Sequence, residues 1–313
     1  LPLWYISSYY NDSSVLYKEL PKIDDGSYSK SFDERRFLPL VQIFADASLL
    51  KGEIAPPLKK VWYGGETVET HPTVLVHTNM ADPKKDYFLA LKGGRASTSH
   101  AHMDGGSFVY DAYGLRWAMD LGLQKYNGLE EYGIDLWNFG KESTRWSVFR
   151  LNNFSHNVIT VNDNIYHFDG GSFLDKTFNT DRPGALGGRY ICYPLNLYTG
   201  ADNDLVSPAL TRTAELKPLI GAHPYELEIK DEFTACAGKS PKIRWSMATP
   251  AAAEIVSDGC IKLTQQGVTL YLTSSEASGA KLKAFAREAN ASLAEWDESN
   301  DGVTLVGFEG EMS

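Results

Sequence analysis

The segment Ser99-His100-Ala101-His102-Met103-Asp104-Gly105-Gly106-Ser107-Phe108 constrains this chain more than any other stretch. Two histidines separated by one residue stand just before a glycine pair that lets the backbone bend sharply. Read as an extended segment, it turns the two rings to opposite sides, His102 toward a metal and His100 toward a cleft. An acidic residue, Asp120, and a third histidine, His156, follow downstream. A tight turn centred on Tyr113-Gly114 would pair a strand over 107–113 with one over 115–121, so that Asp120 faces Ser107 and His102 lies beside Asp120. A bulge in the hairpin shifts that register by one. If His156 joins them, two imidazoles and a carboxylate form a zinc-type ligand set with an open fourth position. Such a centre either works in catalysis or braces a loop. His71, His77, His167 and His223 lack comparable surroundings and read as ordinary hydrogen-bonded side chains.

The texture around this segment is β. From Val61 onward, apolar or alternating runs at 73–78, 87–91, 107–113, 115–121 and 158–161 read as strands. So do 225–229, 242–247, 268–273 and 303–308. Gly, Asn and Asp punctuate them, and no alternation of strand with helix appears. The fold class expected is mainly β: a large antiparallel two-sheet β-sandwich over 58–313. Residues 1–57 read as helical. Asp12 or Ser13 would cap a short helix that Pro21 stops, and Asp33 starts a second. Phe37, Leu40, Val41 and Phe44 recur at helical spacing, with Pro39 tolerable in a first turn. Two or three helices are too few for an independent helical domain and read as the tail of one. The segment 127–141 has the character of a long active-site loop.

Hydrophobic residues make up 43% of the 313, enough for a full core, and aromatics reach 12%. Large β-sandwiches and sugar-stacking sites are both aromatic-rich. The formal charge of −10 argues against nucleic-acid or anionic-membrane partners. It leaves an anionic substrate open, because local cations decide that. Lys92, Arg95, Arg116, Lys125, Arg145 and Arg150 flank the candidate site in sequence, and each alone reads as a surface charge. The cysteines at 192, 236 and 260 match no zinc-ribbon spacing. No apolar run is long enough to span a membrane, and no signal peptide is visible. The opening Leu1-Pro2-Leu3-Trp4 reads as a processed or excised product. Sequons at Asn11, Asn153 and Asn290 carry little weight.

At "SHAHMDGGSFVYDAYGLRWAMDLG" and "FSHNVITVN" the chain resembles the heparinase II/III-like polysaccharide lyases. A weaker similarity extends from about Val61 to about Thr249. The resemblance implies a C-terminal antiparallel β-sandwich packed on a large N-terminal α/α toroid, of which residues 1–57 would be the remnant. It implies zinc held by His102, Asp120 and His156, chiefly supporting the site, with His100 projecting into the cleft as a catalytic residue. Tyr132 would approach substrate, with Tyr126 a competitor for that place; Arg95, Tyr126 and Arg150 would bind substrate. The implied reaction is β-elimination on an acidic, uronate-containing polysaccharide, glycosaminoglycan or alginate among them, in a periplasmic or secreted setting. The family's principal toroid residues match no position here, so this chain is expected to hold half an active site. Two other readings stay open. One is a zinc-stabilised carbohydrate-binding sandwich without turnover. The other is a metallohydrolase with Asp104 as base, although Asp104 reads more readily as a turn residue.

Overall fold

A computed structural model describes residues 2–26, 38–50, 54–56, 60–65, 67, 70–82, 84–180, 182–192, 210–220, 224–233, 240–275, 281–291 and 293–312. Contacts divide the chain into two units. One comprises Leu1–Lys60 with Thr78–Asp86, and the other Val61–His77 with Tyr87–Ser313.

The first unit holds helices Pro2–Tyr10, Leu20–Asp24 and Leu38–Phe44 and a 3-10 turn over Ser13–Leu16. Asp12 caps that turn, its carboxylate accepting the Ser14 N–H at 2.9 Å. Pro21 lies in the first turn of Leu20–Asp24, so it opens a helix instead of closing one. A proline there gives up an N–H that would have no helical partner anyway, and its fixed φ suits the helix. Pro39 occupies the first turn of Leu38–Phe44. Trp4, Leu16 and Val41 form a small apolar core. Asp33 and Phe37 lie outside the described residues.

The second unit is built from antiparallel strands. Among the described residues they divide among four sheets where two were expected. The first sheet runs Val61–Gly64, Thr73–His77, Tyr87–Lys92, Phe108–Ala112, Leu115–Ala118. The second runs Tyr225–Glu232, Leu210–Pro218, Leu186–Cys192, Gly171–Leu174, Gly94–Arg95. The third holds Lys283–Glu288, Thr304–Glu311, Lys242–Thr249 and Ile159–Val161; the fourth holds Ala252–Ser257, Cys260–Gln265 and Val268–Thr273. Alternation along Thr73–His77 and Tyr87–Lys92 buries one face, as a half-covered sheet requires. Val74, Val76, Leu89, Leu91, Phe108 and Tyr110 from that face share one core with Tyr190, Cys192, Ala214 and Leu216 of the second sheet. The two sheets approach so closely that a Cβ on Gly188 would sit 2.8 Å from a Val74 methyl. Among the described residues no helix is long and apolar enough to cross a membrane.

Asn157 joins the sheets. It is fully buried, and its Nδ2 donates to the carbonyls of Phe108 (2.6 Å) and Met119 (2.9 Å). Its Oδ1 accepts the N–H of Ala248 at 2.7 Å. One side chain thus ties the first sheet, the segment following it and the third sheet. Beneath it lies Arg212, whose Nη1 reaches the carbonyls of Gly106 (2.8 Å) and Asn157 (2.6 Å). Its Nε and Nη2 grip the Asp231 carboxylate, each at 2.7 Å. Burial opposes the Arg212 charge, but Asp231 outweighs it and raises the guanidinium pKa.

Candidate active site

The hairpin places the site. Tyr113 and Gly114 both adopt positive φ (58° and 73°), which a tight two-residue turn demands. Asp111 pairs with Arg116 and Ala112 with Leu115 as that turn predicts; a bulge then shifts the register so that Tyr110 pairs with Ala118. Asp120 follows directly, and the N–H of Gly122 donates to its Oδ1 at 2.7 Å. Its Oδ2 lies 2.8 Å from Nδ1 of His156.

His100 and His102 meet different partners, the Tyr126 hydroxyl and the His156 ring, without the extended backbone expected. In an extended strand, residues two apart point to the same face. His100 instead adopts left-handed backbone geometry, φ 61°, at the end of a turn in which the Ala101 N–H reaches the Thr98 carbonyl at 3.1 Å. Ala101 and Met103 are buried anchors on either side of His102. The Met103 N–H is held by the Leu151 carbonyl at 2.9 Å. A non-glycine residue at such φ costs energy and persists only where its surroundings fix it.

What fixes it is Arg145, which reads as a surface charge in the sequence and is fully buried in the fold. Its Nη2 donates to the Ala101 carbonyl at 2.7 Å, between the two histidines. Its Nη1 donates to the Leu136 carbonyl at 2.8 Å, in the loop opposite. Burial lowers the Arg145 pKa, and the Tyr126 hydroxyl beside it works the other way.

The structure brings together His102, Asp104 and His156, with one ligand atom from each within 4.8 Å of the others. Asp120 bears on the same group through His156, and their rings and carboxylate form one polar cluster: the His102 and His156 ring centroids are 5.4 Å apart. Asp104 serves twice. Its carbonyl closes the glycine turn by accepting the Ser107 N–H at 2.9 Å, and its carboxylate joins the cluster and binds Lys92. Nε2 of His156 is buried and has no hydrogen-bond partner among the described residues. Burial, together with the neighbouring His156 charge, lowers the His102 pKa to about 4. Asp120 is held well below the usual carboxylate range. Burial pushes it up, but the His156 charge and hydrogen bond and the Gly122 N–H overcome that. His156 is raised, because Asp120 overrides its burial.

Next to this cluster is an aromatic triangle. The His100 and Tyr126 rings are nearly parallel (5°) with centroids 5.9 Å apart, and His100 Nδ1 lies 3.2 Å from the Tyr126 hydroxyl. Trp137 stands edge-on to both, at 5.5 and 5.7 Å. A cavity of about 730 Å³ is lined by His100, His102, Asp104, Asp120, Tyr126 and Lys92 among others. It therefore holds candidate metal donors, a cation, and a histidine–tyrosine pair able to exchange a proton.

The other expected site residues lie differently. Tyr132 ends the short helix Tyr126–Glu131 and is exposed, and it does not line the cavity. Arg150 commits its donors to Asn300 Oδ1 (2.8 Å) and the carbonyls of Leu123 and Ser299 (2.9 Å each). Arg95 pairs with Asp169 at 3.3 Å. Sequence reasoning noted Lys92 and Arg145 among the flanking cations but read each alone as a surface charge, and it passed over Trp137. The alternation that buries Leu91 turns Lys92 to the other face; nothing periodic marks Arg145 or Trp137. His77 packs between Trp62 and Phe88, and His167 stacks on Phe168. His223 and Cys236 lie outside the described residues.

A sequence model described as heparinase II/III-like, C-terminal, matches residues 76–302. The fold is similar to a heparinase III gene product, with TM-score 0.53 and 13% identity over 95% of this chain and 39% of that one. It is also similar to a crystal structure of heparinase III, with TM-score 0.51 and 11% identity over 87% of this chain and 37% of that one. The chain thus spans about two fifths of the length of these structures. No curated protein sequence matches significantly. With most of its β unit covered by that model, the chain belongs to the heparinase II/III-like family.

Proposed function

We propose that this chain supplies the β-rich side of a polysaccharide lyase active site, acting on uronate-containing chains by β-elimination. The observation that carries the reading is His100 at positive φ, held against the Tyr126 hydroxyl in a cavity also lined by His102, Asp104 and Asp120, with His156 buried behind them.

The carbon next to a uronate carboxyl group bears a weakly acidic proton. Neutralising the carboxylate makes that proton removable. A base takes the proton, its electron pair forms the new double bond, and the glycosidic C–O bond breaks as an acid protonates the departing oxygen. His100 and Tyr126 are the pair able to hold and pass those protons. Lys92 adds positive charge at the cavity wall. Arg145 positions His100 through Ala101. The remaining base and acid are assigned to the α/α toroid that the family resemblance implies.

A zinc ion fits the cluster. His156 offers a buried Nε2 that has no other partner among the described residues, while Asp120 engages its other nitrogen. Two imidazoles and nearby carboxylates are a common zinc donor set. His102, Asp104 and His156 would hold it, His156 through that nitrogen, with Asp120 orienting His156 from the other side of its ring. Its chemistry there would be chiefly structural, fixing the segment that carries His100. A reaction on secreted polysaccharide implies a periplasmic or extracellular setting.

The test is incubation of the full-length protein with a panel of uronate polymers, read by the ultraviolet absorbance of unsaturated products. His100→Ala is expected to abolish the signal and leave the circular dichroism unchanged. Saccharide binding without any absorbance change would leave the non-catalytic binding module as the answer. Plain reducing ends without unsaturation would mark hydrolysis.

A further inference from the structure

We infer that Trp137 is a stacking platform for a pyranose ring of the acidic saccharide, adjoining the position of the bond that breaks. This deepens the lyase reading and rests on it.

Trp137 is 54% exposed although it is the largest apolar side chain in its loop. The residues around it are mixed: Asp135 and Asn138 are exposed, while Ile134 and Leu136 are buried. Leu136 is 1% exposed and sits in a compact cluster with Leu129, Val148 and Leu151. The loop is also pinned in polar fashion. The Asp135 N–H donates to Thr144 Oγ1 at 2.8 Å, and the Asn138 N–H donates to Asp135 Oδ1 at 3.2 Å. The Gly140 N–H donates to Asn138 Oδ1 at 2.9 Å. The indole is thus presented by a fixed backbone.

Its position is fixed relative to the reactive pair as well. The Arg145 guanidinium holds the carbonyl preceding Trp137 with one nitrogen and the carbonyl following His100 with another. A single planar group sets the spacing of the two segments. Trp137 meets the His100 and Tyr126 rings at near right angles and stays 54% exposed beside them. A pyranose presents an apolar face of C–H groups that suits the face of an indole, whose π-cloud is negative. The ring amphipathicity of tryptophan serves the same purpose in wet binding sites, where one part is covered and another stays solvated. Lys92 within the adjoining cavity gives the anionic part of the same saccharide a cationic partner.

The experiment compares the wild-type full-length protein with Trp137→Ala, Trp137→Phe and a control, Tyr271→Ala. Tyr271 is an exposed aromatic of the three-stranded sheet. Probes are size-fractionated heparan sulfate and alginate oligosaccharides. Readouts are calorimetric affinity, tryptophan fluorescence on titration, and kcat and KM from product absorbance. Trp137→Ala is expected to weaken affinity and raise KM about tenfold, the size of one aromatic stacking contact. kcat should change little, and the fluorescence response should be lost. Trp137→Phe should recover part of the affinity, and Tyr271→Ala should match wild type. Unchanged affinity and KM in Trp137→Ala, beside a wild type that binds and cleaves, would overturn the platform and leave the lyase reading standing. A wild type that neither binds nor cleaves any probe overturns both.

Discussion

Replacing Arg212 by Met tests whether the buried ion pair beneath the glycine turn holds the unit together. The side chains of Arg212 and Asp231 are 1% and 6% exposed. Methionine keeps the apolar bulk but deletes four hydrogen bonds. Two of them belong to the Asp231 carboxylate and two to the carbonyls of Gly106 and Asn157. Breaking a buried pair from one side costs about 3–5 kcal/mol, because the remaining charge stays buried without its partner. Each stranded carbonyl adds about 1 kcal/mol or more. The sum, on the order of 5 kcal/mol, rivals the whole stability of a typical domain. Arg212→Met alone should therefore unfold at far lower guanidinium concentration, followed by tryptophan fluorescence and circular dichroism. Arg212→Met combined with Asp231→Leu removes both charges and strands only the carbonyls, so it should recover about 3 kcal/mol of the loss. If the double variant is no more stable than the single one, the buried charge is not the source of the cost. If the single variant loses less than about 1 kcal/mol, the pair is not load-carrying at all.

Two further predictions follow from the same region. Asn157→Ala leaves the carbonyls of Phe108 and Met119 and the N–H of Ala248 without their side-chain partner, and should cost about 3–6 kcal/mol in a denaturant titration. His102 has a folded pKa of about 4 against an ordinary 6.5. In the metal-free protein the unfolded chain therefore binds the extra proton between those values, and stability must fall as pH drops from 6.5 toward 4. His156 is shifted the opposite way and acts on the alkaline side of its ordinary pKa. Denaturation midpoints across that acid window should flatten in His102→Ala; an unchanged slope would assign the effect to other groups.

Where one face of a strand meets a core, the sequence pattern was enough. Thr73–His77, Tyr87–Lys92 and the hairpin about Tyr113-Gly114 follow alternation and turn chemistry, and the family motifs fall on the cavity those strands build. Leu210–Pro218 was harder, because it is buried on both faces and its buried residues include the polar Arg212, Thr213 and Glu215, which break the apolar rhythm. Ala252–Ser257 and Lys283–Glu288 are largely exposed, so water imposes no pattern on them. Division into four sheets depends on where pairing stops, which local propensity does not encode. At the site, His100 sits at positive φ in a turn whose Ala101 carbonyl is held by Arg145, and Arg145 is buried by hydrogen bonds to the distant Ala101 and Leu136 carbonyls. A residue's own neighbours in sequence carry no trace of those.

Asn157 is peptide-bonded to His156. The residue that clasps the sheets and the imidazole that faces the polar cluster therefore share one rigid amide. Any mutation that lets the sheets drift apart shifts that imidazole with them, however distant the change. Losses of thermal robustness and losses of site alignment should consequently travel together in this protein's variants, and a screen for one will report on the other.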